Sequence, residues 1–339
     1  MLILRQLGCA HPAVYDRGMS ATVRVGTCSW ADETLTKVWY PKNIRSGEAR
    51  IRHYAERFDT VEANSTYYRL HDAELVANWA ERTPDNFTMH VKAFGLMTRH
   101  PVKVDSLPED LRDVMPLDER GRVDRPPREL RAEVFRRFHR ALEPLRERGK
   151  LGGVLLQFPP YVVYKPLSLD YLAWAVEQLD GDEALVEFRH RSWLDEENRA
   201  QTLAFLESIG ATYVIVDAPK TDAKNLVPTV VGRTSKNAYV RFHGRNAATW
   251  NKRTGSAAER FDYLYSEEEL EEWVGPLREL AGETESVYAM FNNNGRSAMP
   301  STGLEGLEPE EVAGDPATGE VAQAPANALM LKRLLASGA

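Results

Sequence analysis

Along most of the chain, short apolar runs alternate with longer stretches in which apolar positions recur every three to four residues. The short runs are rich in β-branched and aromatic residues and predict strands, while the longer ones carry helical spacing. Strands are predicted in VRVGT, DTVEAN, FTMHVKA, LGGVLLQF, ALVEFRH, TYVIVD, AYVRFHG and SVYAMFN, which makes eight. Helices are predicted over residues 48–58, 73–82, 128–148, 169–179, 196–209, 267–281 and 326–335. Ser266, followed by Glu267, Glu268 and Glu269, supplies an N-cap and an acidic first turn, and Gly210 marks a helix end.

This rhythm predicts a parallel sheet with crossover helices, closed as a (β/α)8 TIM-like barrel in one domain over residues 21–339. Between strands six and seven a Pro/Lys/Thr/Asn-rich stretch replaces one helix. A long insert at 97–127 follows strand three, of the kind that serves as a lid or binding loop or stays disordered. A Gly/Glu/Pro/Ala-rich insert at 300–325 follows strand eight and is expected to be flexible. Residues 1–20 read as a loose extension without the apolar core of a secretory signal, and Met19 is an alternative start.

Composition narrows the class. With 43% hydrophobic and 27% charged residues the chain has material for a large core. A net charge of −7 argues against a nonspecific nucleic-acid coat, though a local basic pocket remains compatible with it. Two cysteines, Cys9 and Cys28, form no disulfide framework or metal-finger spacing, which predicts a reducing compartment and a cytoplasmic protein. No stretch reaches the ~20 apolar residues that span a bilayer, so no membrane partner is expected.

In such barrels the C-terminal strand ends build the active site. Those ends carry Trp30 after strand one; Glu62, Asn64 and Thr66; Lys92; Gln157; Glu187, Arg189 and His190; Asp217; Arg241, His243 and Arg245; and Asn292 and Asn293. Glu62 with Asn64, Glu187 with Arg189, and Arg241 with His243 share parity, so each pair faces one way. If that way is inward, the mouth holds arginines, a lysine, acids and a histidine, enough cation to bind a phosphate or carboxylate. The competing reading is that these charges neutralise one another as barrel-end ion pairs.

His243 and His190 are candidate acids or bases, with Glu187 or Asp217 to orient them. Glu187, Asp217 and His243 are candidate ligands for a divalent metal, with Glu62 or His190 as a further donor, although no ligand spacing enforces a site. Lys92 can form a Schiff base or hold an anion, and the anion is the better match. Tyr67, Tyr68, Trp30 and Trp193 can stack on a ring or pack against loops, and Cys28 has no histidine partner in sequence to activate it. His90 shares the parity of Lys92 and points to the barrel interior.

The motifs VRVGTCSW, WYP, FDTVEANSTYYRL, VKA with His100 beyond it, LLQFPP, VEFRHRSW, VIVD, YVRFHGR and YAMFNNN run in order over residues 22–294, with NAL at 327–329. This series resembles the YecE-like family, known as domain of unknown function 72. Cys28-Ser29 stands where the family more often has Ser-Gly, and Asn294-Gly295 stands where it often has a histidine or aromatic residue. The resemblance implies a TIM-like barrel and supplies no activity. Its barrel is similar to those of endonuclease IV and xylose isomerase, which use metals, a likeness of fold alone.

The leading expectation is an enzyme, a hydrolase or lyase, acting by acid/base chemistry with optional metal help on a small anionic, phosphorylated or nucleotide-like molecule. Arg189, Arg241 and Lys92 would bind the anion, His243 and Glu187 would move protons, and Asn64 and Asn293 would orient the substrate. The alternatives are a noncatalytic binder of an anionic metabolite or nucleic-acid end, and a metal-dependent DNA-repair nuclease resembling endonuclease IV. Oligomeric state is not legible.

Overall fold

A computed structural model describes residues 21–250, 260–299, 314–315 and 318–337; the predicted extension at 1–20, with Met19, lies outside them. The eight predicted strands are present as β1 (Val23–Thr27), β2 (Thr60–Ala63), β3 (Thr88–Lys92), β4 (Leu151–Gln157), β5 (Ala184–Glu187), β6 (Thr212–Asp217), β7 (Asn237–Phe242) and β8 (Ser286–Phe291). Each is parallel to its neighbours, in the order β1-β8-β7-β6-β5-β4-β3-β2, and β2 pairs with β1 to close the barrel. The (β/α)8 prediction is therefore met.

Around it stand α1 (Gly47–Ala55), α2 (Ala73–Glu81), α3 (Arg128–Ala141), α4 (Pro166–Glu177), α5 (Arg199–Ser208), α6 (Glu267–Glu283) and α7 (Gln323–Ser337). Ser266 caps α6 in a full capping box with Glu269. The helix expected over 128–148 breaks at Leu142, because Pro144 lacks an N–H and disfavours helical geometry in the residue before it. Conversely, α7 begins before Pro325, since proline is tolerated in a first turn. Residues 218–236 contain no helix, as the loop composition between strands six and seven predicts.

The insert at 97–127 is a packed structure, not a disordered one. Val102–Lys103 pairs antiparallel with Arg122–Val123, and Leu107, Leu111, Met115 and Val123 are buried. Of the 300–325 segment, expected to be flexible, residues 300–313 and 316–317 lie outside the described residues. The rest is ordered: Glu320–Ala322 pairs antiparallel with both Arg296–Ala298 and Gly314–Asp315.

The barrel interior is filled in layers, which is why it is a core and not a pore. In the lower layer His90 lies edge-on to the rings of Tyr239 and Tyr288, with centroids 4.8 and 4.3 Å away. Gly152 of β4 makes room for it, since a Cβ there would come within 2.5 Å of His90 Cε1. Above this apolar floor lies a layer of charge.

Candidate functional site

Register places the charged layer. Glu62 of β2 pairs with His90 of β3 and shares its inward face. Glu187 of β5 pairs with Gln157 of β4, and Arg241 of β7 lies two residues on from the inward Tyr239. Val61 and Ala63, or Val240 and Phe242, face outward on the same strands, so alternation alone delivers these polar side chains to the interior.

Arg241 is the hub. Its Nη2 donates to Glu62 Oε1 at 2.7 Å, and its Nη1 pairs with Glu187 Oε2. Tyr239 donates to Glu62 Oε2 at 2.9 Å. Arg189 pairs through Nε with Glu187 Oε1, so each oxygen of Glu187 meets a guanidinium. Burial alone would raise the Glu187 pKa, but Arg189, Arg241 and His243 hold it well below the usual carboxylate range. Glu187 is thus a fixed anion.

His243 completes the group, with Nε2 3.2 Å from Glu187 Oε1 and 3.0 Å from Arg189 Nη2. A guanidinium only donates, so Nε2 accepts from Arg189 and the ring proton belongs on Nδ1. Asn292 Nδ2 lies 3.0 Å from Nδ1, and the Nδ1–H tautomer requires this amide turned end for end so that its oxygen accepts. Burial, then Arg189, pulls the His243 pKa down to about 3, so the ring is neutral at pH 7.

Two cations lie at the rim of this cluster. Lys92 Nζ sits 4.7 Å from the Tyr67 ring centre and, among the described residues, has no hydrogen-bond acceptor. Burial, then Arg241, brings its pKa down to about 8. Arg189 is also pulled down, chiefly by burial, with Glu187 compensating in part and Arg241 repelling. Lys92 has no paired anion among the described residues, and Arg189 has Glu187, which it shares with Arg241. His100, reaching in from the insert, packs edge-on against Tyr67 at 5.2 Å and is lowered to about 4 by burial, Lys92 and Arg189.

The structure therefore brings together Glu62, Lys92, Gln157, Glu187, Arg189, Arg241, His243 and Asn292; Gln157 Oε1 lies 3.5 Å from both guanidinium groups. Other candidates stand elsewhere. Asp217 pairs in register with the outward Phe242 and points between sheet and helix, where it accepts from Tyr265 at 2.7 Å, Arg245 at 2.8 Å and Trp273 at 2.9 Å. Arg245 is consumed by that contact and by Glu272 at 2.9 Å. His190 bonds Ser192 in the loop after β5. Asn293 donates to Asn327 and Tyr263, anchoring α7. Thr66 bonds the carbonyls of Ala63 and Lys92, and Asn64 Nδ2 bonds that of Cys28 at 2.7 Å, leaving Asn64 Oδ1 buried without a partner.

The aromatic stacking candidates Trp30 and Trp193 are buried, Trp30 edge-on to Trp79 and Trp193 stacked on Phe188. Cys28 is buried beside Arg241 and Glu62, and its pKa is pushed well up by burial and then by Glu62, which keeps it a thiol.

The residues fit a divalent metal poorly. Asp217 faces away, both oxygens of Glu187 are ion-paired, and three cations surround the remaining donors. Among the described residues no three His, Cys, Asp or Glu side chains converge on one point.

Sequence reasoning assigned no site role to His100 and none at all to Tyr239. Tyr239 carried a signal, since it shares parity with Arg241 and His243; the contact of His100 with Tyr67 depends on the fold of the insert.

Fold and site together define a closed parallel α/β barrel with a buried charge network under its C-terminal mouth. The chain belongs to the family described as protein of unknown function DUF72, whose model matches residues 24–305. It is 31% identical to UPF0759 protein YunF of Bacillus subtilis (strain 168) over 290 residues, covering 84% of this chain and 94% of that one. It is 28% identical to UPF0759 protein YecE of Escherichia coli (strain K12) over 229 residues, covering 63% and 74%. The crystal structure of a DUF72 family protein (TM1631) from Thermotoga maritima MSB8 superimposes with a TM-score of 0.67 at 29% identity, over 93% of this chain and 99% of that one. That of a DUF72 family protein (EF0366) from Enterococcus faecalis V583 gives 0.70 at 24%, over 93% and 96%. No helix among the described residues is long and apolar enough to cross a membrane.

Proposed function

We propose that the barrel mouth binds a small anionic, phosphorylated or nucleotide-like substrate through Lys92 and Arg189, and that His243 moves a proton in a hydrolase- or lyase-type reaction. The observation that carries this reading is the Lys92 ammonium, which stands over Tyr67 without an acceptor, near Arg189, whose ion-pair partner Glu187 is shared with Arg241. Arg241 and Glu62 are fully buried and satisfy each other, so they form the floor of the site and not its binding face. The Arg189 side chain is only 13% exposed, and such recessed cations suit a small ligand better than a duplex.

In this reading an anion draws on Arg189 and relaxes its contact with His243 Nε2. The freed Nε2 then takes a proton from a substrate hydroxyl or a water, and Glu187 stabilises the imidazolium across 3.2 Å. Asn292 holds the ring. No step needs a metal.

The test is a screen of phosphorylated and nucleotide-like compounds for retention and depletion, with wild type, Lys92→Met and His243→Asn. Lys92→Met should lose retention, while His243→Asn should retain the compound and lose turnover. Retention without depletion by wild type would make the protein a binder. Equal retention by wild type and Lys92→Met would overturn the assignment of the mouth.

A further inference from the structure

A second cationic cavity lies outside the charge network, between the loops that follow β3 and β4. It measures about 340 Å³ and is lined by Arg99, Arg125, Tyr161, Val162, Lys165 and Ser168. Three of these six carry positive charge. No carboxylate lines the cavity; Asp124 pairs with Arg125 Nε at 3.5 Å, so the local balance stays positive. Tyr161 donates its hydroxyl to the Arg99 carbonyl at 2.6 Å, which fastens the insert to the β4 loop and closes one wall.

The floor is the start of α4, a twelve-residue helix opened by Lys165 as N-cap and Pro166. Pro166 has no amide proton and the Leu169 amide bonds the Lys165 carbonyl at 3.1 Å, so this end offers the cavity the positive pole of the helix dipole. The second observation is Ser168. It is fully buried, it lines the cavity, and its Oγ has no hydrogen-bond partner. A buried hydroxyl left unpaired destabilises the fold, and a ligand oxygen in the cavity would remove that cost. The Ser168 amide turns back to the Lys165 carbonyl at 2.9 Å, which leaves the hydroxyl as the group this residue offers the cavity.

Arg99 and Arg125 both hold left-handed backbone, at φ 68° and 46°. Glycine or asparagine would occupy those conformations at lower cost, so the arginine side chains are present despite the backbone. Arg99 is further steadied by the Tyr171 ring, 5.2 Å from its Cζ.

We propose that this cavity is a phosphate-binding site, in which Arg99, Arg125 and Lys165 neutralise a dianionic phosphate group and Ser168 donates to one of its oxygens at the head of α4. The group is either free phosphate or the phosphate of a small monoester; the volume falls in the range of small-ligand pockets. None of the charged residues of the mouth lines the cavity, and its occupation does not depend on the chemistry proposed there.

The test is titration of inorganic phosphate and of glycerol 3-phosphate by calorimetry at pH 8, with wild type, Lys165→Met, Ser168→Ala and the mouth variant Lys92→Met. Lys165→Met and Ser168→Ala should each weaken binding at least tenfold. Ser168→Ala should also unfold at the same temperature as wild type or higher, since it deletes an unpaired buried hydroxyl, and so separates loss of binding from loss of fold. Lys92→Met should retain the cavity's affinity. A monoester bound tenfold more tightly than phosphate identifies an esterified ligand; equal affinities identify free phosphate. Absence of binding to wild type at 10 mM on the order of a weak metabolite's level, unchanged affinity in both cavity variants, or loss confined to Lys92→Met would each overturn the proposal.

Discussion

Arg241 of β7 and Glu62 of β2 meet across the barrel at 2.7 Å, 179 residues apart in sequence and both fully buried. The pair is the centre of a chain of contacts through Tyr239, Glu62, Arg241, Glu187 and Arg189, in which Arg241 bridges the two carboxylates. Breaking such a chain leaves a charge stranded in the interior. We therefore expect Glu62→Gln to destabilise the fold by about 3–5 kcal/mol. Urea unfolding checks this, and a loss under ~1 kcal/mol would show that water reaches the pair.

The mouth should lose its hold on anions as the solution becomes alkaline. Lys92 titrates at about 8, well inside the accessible range. Its charge is present below that value and lost above it, so affinity for a monovalent anion should fall between about pH 7 and 9, and Lys92→Met should flatten the profile. The stability effect has the opposite sense. Folding costs free energy while Lys92 is charged, and that cost is relieved as pH rises from about 8 toward the unfolded value of about 10.4. Paired calorimetry and denaturation over this window would show both trends, and a pH-independent affinity in wild type would remove Lys92 from the binding face.

How much of this was readable beforehand depends on the strand. In FDTVEAN and YVRFHGR, polar residues at alternate positions interrupt apolar ones, so Glu62, Arg241 and His243 announce a common face. TYVIVD offers no such contrast. Both faces of that strand are buried, one by the barrel interior and one by helix, and its apolar run does not say which parity faces in. Asp217 therefore fitted the strand-end pattern while its register with Phe242 turned it outward. Arg245 and His190 lie beyond their strands, where alternation no longer governs direction. The approach of His100 to Tyr67 is set by the folding of the insert, and no local periodicity encodes it.

Asp217 and the mouth should be separable by mutation. The Asp217 carboxylate accepts from Arg245, Tyr265 and Trp273 on the outer face. Asp217→Asn keeps the shape and removes the charge, and should cost about 1–3 kcal/mol of stability. Anion retention by the folded variant should match wild type, because none of these partners borders Lys92 or Arg189. Loss of retention at full folding would mean that the outer face and the mouth are coupled.

Acid should unfold this protein steeply, and the buried histidines say why. His90 and His243 titrate at about 3 and His100 at about 4, each lowered first by burial. An unfolded histidine takes up its proton near 6.5. Below that pH the unfolded chain binds more protons than the native one, so stability falls as pH drops from about 6.5 toward about 4. With three groups the slope approaches about 4 kcal/mol per pH unit, and Glu187, depressed in the native state, adds in the same sense below its unfolded value. His90 isolates one of these contributions, because both its ring nitrogens are buried without partners and its ring packs on Tyr239 and Tyr288 and pairs with no charged group. His90→Leu should hold its stability at pH 7 to within about 1.5 kcal/mol, the range for a volume-conserving core change. Its dependence on pH between 6.5 and 4 should be shallower by about 1.4 kcal/mol per unit, one proton's worth. Denaturant midpoints measured at pH 7, 6 and 5 on both proteins decide the matter: parallel slopes would mean that His90 is already protonated in the native barrel.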